Sequence, residues 1–365
     1  MSLLEVTDLR VSFPTADGVV QAVRGVSFSV EHGKTLGIVG ESGSGKTVLT
    51  QTLLGLTPGG RVSGSAMFEG KNLVGLSSRE LQKIRGKEIS VIFQDPLTSL
   101  HPLYKVGWQI AEMIRAHDKS TSKAQAIERA TELLGYVGIP RPRERVNDYP
   151  HQFSGGMRQR AMIAMAISLS PKLIIADEPT TALDATVQAQ ILDLLLRLQQ
   201  ESDTALLMIT HDLGVVADIA DNVMVMYAGR AAEKATKRDI FYEPHHPYTK
   251  GLLESIPNSS AAAGTRLKPI TGQPPSLINL PPGCAFHPRC AYVMDRCLAE
   301  QPPLIPVGDA GEHRSACFLP TAAIGLSDDA EALRKRTVEM GRSDEAAKVA
   351  EAIAAAPESQ GSVIA

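Results

Sequence analysis

Aromatic side chains, long apolar runs and basic clusters are all scarce in this chain of 365 residues. Aromatic residues make up 4% of it, with a single tryptophan. Because no apolar run approaches the ~20 residues that a helix needs to cross a bilayer, we predict no transmembrane segment. The start of the chain lacks the basic and apolar regions of a secretory signal, which predicts a cytosolic location. A net charge of −3 without a polybasic block argues against nucleic acid as the main partner.

Cysteine is equally scarce, and its four copies all lie in the last quarter of the chain. They are Cys284, Cys290, Cys297 and Cys317, with the spacing C-x₅-C-x₆-C-x₁₉-C. A disulfide framework is disfavoured in a cytosolic protein, and the paired C-x₂-C knuckles typical of zinc sites are missing. Four thiolates in a short, loop-rich segment suit an iron–sulfur cluster. Zinc and unligated thiols remain as alternatives.

A glycine-rich stretch between two apolar runs, residues 35–39 and 48–56, organises the rest of the chain. It is Gly40-Glu41-Ser42-Gly43-Ser44-Gly45-Lys46-Thr47. This context of strand, turn and helix is typical of a phosphate-binding loop, in which glycine lets backbone N–H groups face the ligand. The helix N-terminus adds partial positive charge. Lys46 would hold the β- and γ-phosphates and Thr47 a magnesium ion; the alternative is a turn that binds nothing.

Polar side chains follow three predicted strands at the point where each strand ends. They are Gln94, the pair Asp177 and Glu178, and His211. The apolar run before Asp177 is typical of a strand buried on both faces of a parallel sheet, where ligands bind at the carboxyl ends. If that strand continues, the two carboxylates face opposite sides, one toward a metal and the other toward an attacking water. Gln94 or His211 taken alone could be an ordinary solvated or core residue, whereas two carboxylates that close a buried strand beside a phosphate loop disfavour that alternative for Asp177 and Glu178.

Two further helix starts carry polar or small residues. Ser154-Gly155-Gly156 precedes a predicted helix over residues 157–169, so Ser154 is a candidate N-cap. The glycines make this a second possible anion site, although a capped helix alone explains them. Asp184 opens a predicted amphipathic helix over residues 187–198.

The first two predicted strands, residues 3–13 and 22–30, form a hairpin around the turn signal Asp17-Gly18. Phe13 ends the first strand and can stack on a base, although the residue alone favours an ordinary core or edge aromatic. Helical periodicity dominates from about residue 97 to 138, and residues 222–226 are the last predicted strand. Proline density over residues 269–288 predicts an irregular segment.

Taken in order, these motifs resemble the ATP-binding cassette (ABC) ATPases over residues 1–235. The resemblance implies an α/β fold: a P-loop NTPase core with an antiparallel β subdomain and an inserted α-helical subdomain at about residues 97–170. A small, irregular, cysteine-containing domain would follow at residues 236–320. We expect a helical or partly disordered tail at residues 321–365, which is rich in Ala and Glu.

The resemblance also implies an ATPase mechanism. Thr47, Gln94 and Asp177 would coordinate Mg²⁺, Glu178 would polarise the attacking water, and His211 would contact the γ-phosphate. Phosphoryl transfer depends on such positioning and charge stabilisation more than on covalent chemistry.

ATP itself would be sandwiched between two subunits arranged head to tail. Phe13 would stack on adenine. The triphosphate would lie against Gly40, Ser42, Gly43, Ser44, Gly45 and Lys46. Ser154, Gly155 and Gly156 would cap the γ-phosphate bound to the opposing subunit, and Asp184 would line the seam between them. Since the chain holds one cassette, a second cassette subunit is expected, in a heterodimer.

A finer resemblance is to the oligopeptide/dipeptide import branch, whose members also carry nickel and other small solutes. It rests on residues 91–100, residues 246–253 and the cysteine region, whose counterpart holds a [4Fe–4S] cluster in some members. His101-Pro102 departs from the more usual Asn-Pro. The resemblance implies a peripheral subunit on the cytoplasmic face of the inner membrane, contacting two permease subunits through residues 94–105, with an extracytoplasmic solute-binding protein as an indirect partner.

Two other functional classes stay open from the sequence. One is a soluble cassette ATPase in DNA repair or translation, although no second cassette or coiled-coil insertion is visible. The other is an ATP-binding module gated by the redox state of a cluster.

Overall fold

The computed structural model describes residues 2–181, 183–255, 270–308 and 311–319. The strands in chain order are β1 (Ser2–Thr15), β2 (Gly18–Glu31), β3 (Thr35–Val39), β4 (Arg61–Phe68), β5 (Lys71–Asn72), β6 (Ile89–Ile92), β7 (Leu173–Asp177), β8 (Ala205–Thr210), β9 (Asn222–Tyr227), β10 (Arg230–Thr236), β11 (Ile305–Pro306) and β12 (Arg314–Ser315). The predicted tail at residues 321–365 lies outside the described residues.

The helices alternate with the strands of the core. In chain order they are α1 (Lys46–Leu53), α2 (Ser78–Ile84), α3 (Pro96–Ser99), α4 (Val106–His117), α5 (Lys123–Tyr136), α6 (Pro142–Arg145), α7 (Gly155–Ala166), α8 (Ala185–Ser202), α9 (Leu213–Ile219), α10 (Lys237–Tyr242), α11 (Pro247–Glu254) and α12 (Asp295–Ala299). Among the described residues, no helix combines the length and the apolarity that crossing a membrane requires.

A larger sheet carries the candidate site. In the described part of the chain its order is β11-β12-β10-β9-β3-β8-β7-β6. The strands from β9 to β6 are parallel, which agrees with the continuous apolar runs in the sequence. Their carboxyl ends therefore meet at one edge, where the loops after β3, β6, β7 and β8 come together.

A smaller antiparallel sheet, in the order β2-β1-β4-β5, packs beside it. Its first two strands form the predicted hairpin, with Thr15 paired to Gly18 next to the turn. Helices α3 to α7 form the inserted helical region, whose apolar face shares one core cluster with β6, β7 and α8. The predicted α/β core, antiparallel subdomain and helical insertion are all present.

The predicted strand at residues 222–226 is present as β9, and a strand that the sequence did not predict follows it. β10 follows Gly229 and pairs antiparallel with β9, and β12 pairs with β10. The sequence of β10 is rich in alanine and charge, so it lacks a strand pattern, yet Glu233 at its centre is fully buried. Its strand state comes from pairing on both sides, with β9 and with β12, and it joins the cysteine-containing region to the larger sheet.

Helix α2 was also missed, although the sequence contains a signal for it. Ser77 and Glu80 form a capping box: the Ser77 hydroxyl accepts from the Glu80 N–H, and the Glu80 carboxylate accepts from the Ser77 N–H at 3.0 Å. The spacing Ser-x-x-Glu is the sequence form of that motif.

Candidate functional site

The glycine-rich loop lies between the end of β3 and the start of α1, as predicted. Gly40 and Gly45 have φ values of +156° and +99°. A Cβ on Gly45 would lie 2.3 Å from the Ala22 carbonyl oxygen, and one on Gly40 would lie 2.2 Å from that of Met226. Because β2 and β9 press against the loop so closely, any larger residue at either position would displace it.

Lys46 is 5% exposed and points back into this loop. Its Nζ donates to the carbonyl oxygens of Gly40 at 2.6 Å and Glu41 at 3.0 Å. Burial lowers the pKa of Lys46, while the nearby Glu178 and Asp177 carboxylates act in the opposite direction. The ammonium group is thus a fixed cation within the curve of the loop.

Asp177 ends β7 and is 7% exposed. Its carboxylate accepts from the Thr47 hydroxyl at 3.3 Å. Burial is the main cause that raises the pKa of Asp177, and the Thr47 hydrogen bond partly opposes it. Hydroxyl and carboxylate oxygens beside a phosphate-binding loop suit Mg²⁺, which prefers hard oxygen ligands.

Two other predicted site residues, Gln94 and His211, contact the Glu178 carboxylate. Its Oε2 accepts from Gln94 Nε2 at 3.0 Å, and its Oε1 lies 3.3 Å from His211 Nδ1. The Thr181 hydroxyl also donates to Oε2 at 2.9 Å. The ends of β6, β7 and β8 therefore converge on one carboxylate.

The condition for alternation of the two carboxylates along a strand is not met. β7 ends at Asp177, and Glu178 has a left-handed φ of +47°. A non-glycine residue in this region is strained, and such strain is held in place only by its surroundings. The turn, together with the contacts from Gln94 and His211, directs the Glu178 side chain.

A cavity of about 890 Å³ opens in front of these groups. It is lined by Phe13, Val20, Ala22, Glu41, Ser42, Gly43, Gly45, Lys46, Thr47, Val48, Gln94, Glu178, Thr181, His211, Leu252, Ser255, Ile270 and Leu277. Phe13 lies in its wall with Val20 and Ala22 of β2. A flat ring and an apolar wall near one another, with a fixed cation and carboxylates in the same space, suit a nucleotide.

Four of the lining residues come from the C-terminal region and were missed in the sequence. They are Leu252, Ser255, Ile270 and Leu277. The backbone N–H of Gln21 donates to the Leu277 carbonyl oxygen at 3.0 Å, so this segment lies directly along β2. Leu252 and Ser255 lie at the end of α11, and Ile270 and Leu277 are isolated apolar residues in a proline-rich stretch, so none of the four carries a local signal for this role.

Two predicted groups are not part of this cavity. The Ser154 hydroxyl accepts from the Met157 N–H at 3.3 Å and caps α7, and Asp184 accepts from the Val187 N–H at 3.0 Å and caps α8. Ser154, Asp184 and the neighbouring Gly155 are all exposed. They are available to another molecule rather than to this chain's own site.

The four cysteines lie in one small unit. The Cys284 N–H donates to the Cys297 carbonyl oxygen at 2.8 Å, and the Tyr292 N–H lies 3.4 Å from Cys290 Sγ. Burial raises the pKa of the Cys284 and Cys290 thiols, and raises that of Cys317 to about 11. Within the described ranges, however, no group of three or more His, Cys, Asp or Glu side chains is arranged to hold a metal, so this geometry does not support the predicted cluster.

Comparison with known proteins decides the family. The oligopeptide transport ATP-binding protein OppD of Bacillus subtilis is 54% identical over 323 residues, which cover 88% of this chain and 90% of that protein. This chain belongs to the ABC transporter family of ATPases. The family profile for ABC transporters matches residues 23–181 of this ABC ATPase, and the profile for the C-terminal region of oligopeptide/dipeptide transporters matches residues 232–297.

Other relatives of this ABC ATPase agree with that placement. The dipeptide transport ATP-binding protein DppD of Bacillus subtilis is 53% identical over 298 residues, covering 81% of this chain and 88% of that protein. A solved dimer of the ATP-binding cassette MJ0796, bound to ADP and Pi after hydrolysis, matches with a TM-score of 0.59 at 25% identity. That match covers 64% of this chain and 98% of the other. The P-loop NTPase fold predicted from the motifs is thereby confirmed.

Proposed function

We propose that this ABC ATPase hydrolyses ATP to drive import of oligopeptides or dipeptides through a membrane transporter. The observation that carries the proposal is the convergence of Gln94 and His211 on Glu178, beside a buried lysine in a phosphate-binding loop. The substrate class is taken from relatives above 50% identity that are named as oligopeptide and dipeptide transport proteins. Those relatives also disfavour a role in DNA repair or translation.

ATP enters the cavity with its base toward Phe13 and its phosphates toward the loop. The backbone N–H groups of the loop and Lys46 hold the triphosphate. Lys46 is already fixed by the Gly40 and Glu41 carbonyl oxygens, so little reorganisation is needed on binding.

Hydrolysis relies on Glu178 as the group that accepts a proton from the attacking water. Gln94 and His211 hold its carboxylate in position through the contacts described above. Mg²⁺, when bound, neutralises charge on the phosphates, and Thr47, Asp177 and Gln94 are the residues that would hold it. We propose that His211, which lines the cavity beside Glu178, contacts the γ-phosphate.

A second ATP-binding subunit completes the site. Ser154, Gly155, Gly156 and Asp184 lie outside this chain's own cavity and are exposed or half-exposed, which supports a role toward a nucleotide on the opposing subunit. The N-terminus of α7 supplies unpaired N–H groups for a γ-phosphate. We propose a heterodimer, with a different ATP-binding subunit as the partner.

An exposed apolar patch supports contact with the membrane-embedded subunits. It consists of Leu97, Leu103, Tyr104 and Trp108, which are 60%, 77%, 46% and 44% exposed. The Tyr104 and Trp108 rings stack at 4.4 Å. Such a patch on an otherwise polar surface indicates a protein interface. We propose that two permease subunits dock here, on the cytoplasmic face of the inner membrane, and that a solute-binding protein delivers substrate from outside.

The domain organisation follows from these roles. We propose a nucleotide-binding domain at residues 1–235, with its helical subdomain at about residues 97–170, and a C-terminal region at residues 236–320. The connection through β10 and β12 supports close attachment of the two. Residues 321–365 remain assigned to a tail.

Reconstitution tests this function. The chain, its partner ATPase and the permeases are placed in vesicles with the binding protein, and uptake of labelled peptides is measured with and without ATP. We expect uptake that requires ATP and is lost in Lys46→Met. Uptake of nickel in place of every peptide tested, or ATP hydrolysis that never depends on the permeases, would contradict the proposal.

A metal cluster at the four cysteines is a separate proposal. It rests on the donor set: four thiols within one small unit, with a backbone N–H directed at Cys290 Sγ. Because the thiols are not arranged around a metal in the described residues, insertion of a [4Fe–4S] cluster would have to draw them together. Iron and acid-labile sulfide are measured after anaerobic purification, with Cys317→Ser as the comparison. Zinc, or no metal, in the anaerobic protein would reject it. If the cluster is found, ATPase rates before and after its oxidation test redox gating.

A further inference from the structure

A partly buried ion pair joins the C-terminal region to the phosphate-binding loop. Arg289, whose side chain is 4% exposed, donates to both carboxylate oxygens of Glu41, from Nη1 at 2.6 Å and from Nη2 at 2.9 Å. The two residues are 248 positions apart in the sequence. Such bidentate pairs fix geometry as well as charge.

Three groups of Glu41 form hydrogen bonds: its N–H, its carbonyl oxygen and its carboxylate. Its N–H donates to the Tyr248 hydroxyl at 2.9 Å, and its carbonyl oxygen accepts from Lys46 Nζ at 3.0 Å. Its carboxylate is held by Arg289. The backbone N–H, the backbone carbonyl and the side chain of Glu41, the second residue of the loop, are therefore all immobilised.

The two C-terminal partners are themselves fixed. Arg289 also donates to the Tyr227 hydroxyl at 3.3 Å and to the Thr271 carbonyl oxygen at 3.0 Å. Tyr248 is completely buried against Tyr227 and Phe286, with ring centroids 4.6 and 5.4 Å away. Because these contacts hold Arg289 and Tyr248 in place, the two residues keep the phosphate-binding loop in one position.

We propose that Arg289 and Tyr248 are positioning residues for the phosphate-binding loop, through which the C-terminal region sets nucleotide affinity. This inference rests on the proposed function. Without the contacts from Arg289 and Tyr248, the glycine-rich loop would become ordered only when nucleotide binds. The conformational entropy lost in that ordering would weaken nucleotide binding. Neither residue touches the reacting groups Glu178, Gln94 or His211, so the effect falls on binding rather than on hydrolysis.

The test uses the full chain and four variants: Arg289→Gln, Arg289→Lys, Glu41→Gln and the Arg289→Gln/Glu41→Gln double variant. Removing Arg289 should raise the Kd for ATP about tenfold, which corresponds to a loss of about 1.4 kcal/mol of binding free energy. Lysine keeps the charge without the bidentate geometry and should restore part of the affinity. Because both residues act through one contact, the double variant should bind no worse than Arg289→Gln.

Arg296→Gln is the matched control, since Arg296 lies in the same region and pairs with Glu300 at the exposed surface. It should keep the wild-type Kd. In the assembled transporter, Arg289→Gln should raise the KM for ATP and leave kcat within about twofold. If Arg289→Gln does not fold, Tyr248→Phe serves instead, because it removes only the hydroxyl and keeps the packed ring.

Three results would overturn the inference: an unchanged Kd in Arg289→Gln or Tyr248→Phe, additive losses in the double variant, or a fall in kcat at constant KM. A lower melting temperature with unchanged Kd would likewise assign the pair to stability alone. Failure of the wild-type chain to bind ATP would instead refute the proposed function, so the two failures are distinguishable.

Discussion

Gln94 donates from Nε2 to Oε2 of Glu178 across 3.0 Å, although 84 residues separate them in the chain. Parallel pairing of β6 with β7 brings the two strand ends side by side. The amide occupies one carboxylate oxygen and the His211 ring lies against the other, so the direction of the carboxylate is defined before nucleotide arrives.

Replacing Glu178 by glutamine should reduce ATP hydrolysis on the order of 10²–10⁴-fold, because an amide cannot accept the proton of the attacking water. ATP binding should be retained, since the loop and Lys46 are untouched. Rates are measured by phosphate release and affinity by calorimetry. Glu132→Gln, at an exposed carboxylate that pairs with Arg129 at the surface, is the control. If Glu178→Gln hydrolyses ATP at the wild-type rate, Glu178 does not accept the proton of the attacking water.

The substitution Gly155→Asp should abolish ATP hydrolysis without affecting ATP binding. No atom lies within 4 Å of a Cβ built on Gly155, so the side chain fits, and a carboxylate in the first turn of α7 favours the helix. We expect an unchanged melting temperature and unchanged ATP binding by the isolated chain. Hydrolysis by the assembled pair should be lost, because the charge would face the partner's γ-phosphate. Normal hydrolysis by the pair would show that this helix start does not meet nucleotide.

A charge in the exposed apolar patch should block assembly. Leu103→Glu places a carboxylate where we propose that a permease docks, and Leu103 is 77% exposed, so the fold should tolerate it. We expect the variant to bind ATP normally but to be lost from the purified transporter. The single tryptophan, Trp108, lies in the patch, so its fluorescence reports docking directly. Val293→Glu, at an apolar residue that is 46% exposed elsewhere, should assemble normally; equal recovery of both variants would reject this docking site.

Acid should loosen the C-terminal region through His246. Burial lowers the pKa of His246 from 6.5 to about 4, with Glu233 acting in the opposite direction. Between these two pH values His246 is protonated in the unfolded chain and neutral in the folded chain. The free energy of unfolding should therefore fall as the pH drops from 6.5 toward 4 and level off below. The full loss of folding free energy for one such group is on the order of 3 kcal/mol.

His246→Asn tests that titration. His246 Nδ1 accepts from the Tyr248 N–H at 3.1 Å as the cap of α11, and asparagine can supply the same cap without titrating. Denaturant unfolding followed by circular dichroism between pH 4 and 7 should give a flatter pH dependence for the variant. Equal slopes for the two proteins would assign the acid sensitivity to other groups, such as the His313–Glu233 pair.

Local sequence was enough to predict the phosphate-binding loop, the polar residues at the strand ends and the starts of α7 and α8, because each depends on neighbours within a few residues. Gly40 and Gly45 adopt positive φ in that loop, and Lys46 and Thr47 follow it directly. Folding in three dimensions set the direction of the Glu178 side chain, because Gln94 and His211 contact it from the ends of other strands. The same holds for the wall of the nucleotide cavity formed by the C-terminal region and for the ion pair between Glu41 and Arg289. These contacts join residues up to 248 positions apart, and no local pattern encodes a contact that exists only once the chain has folded.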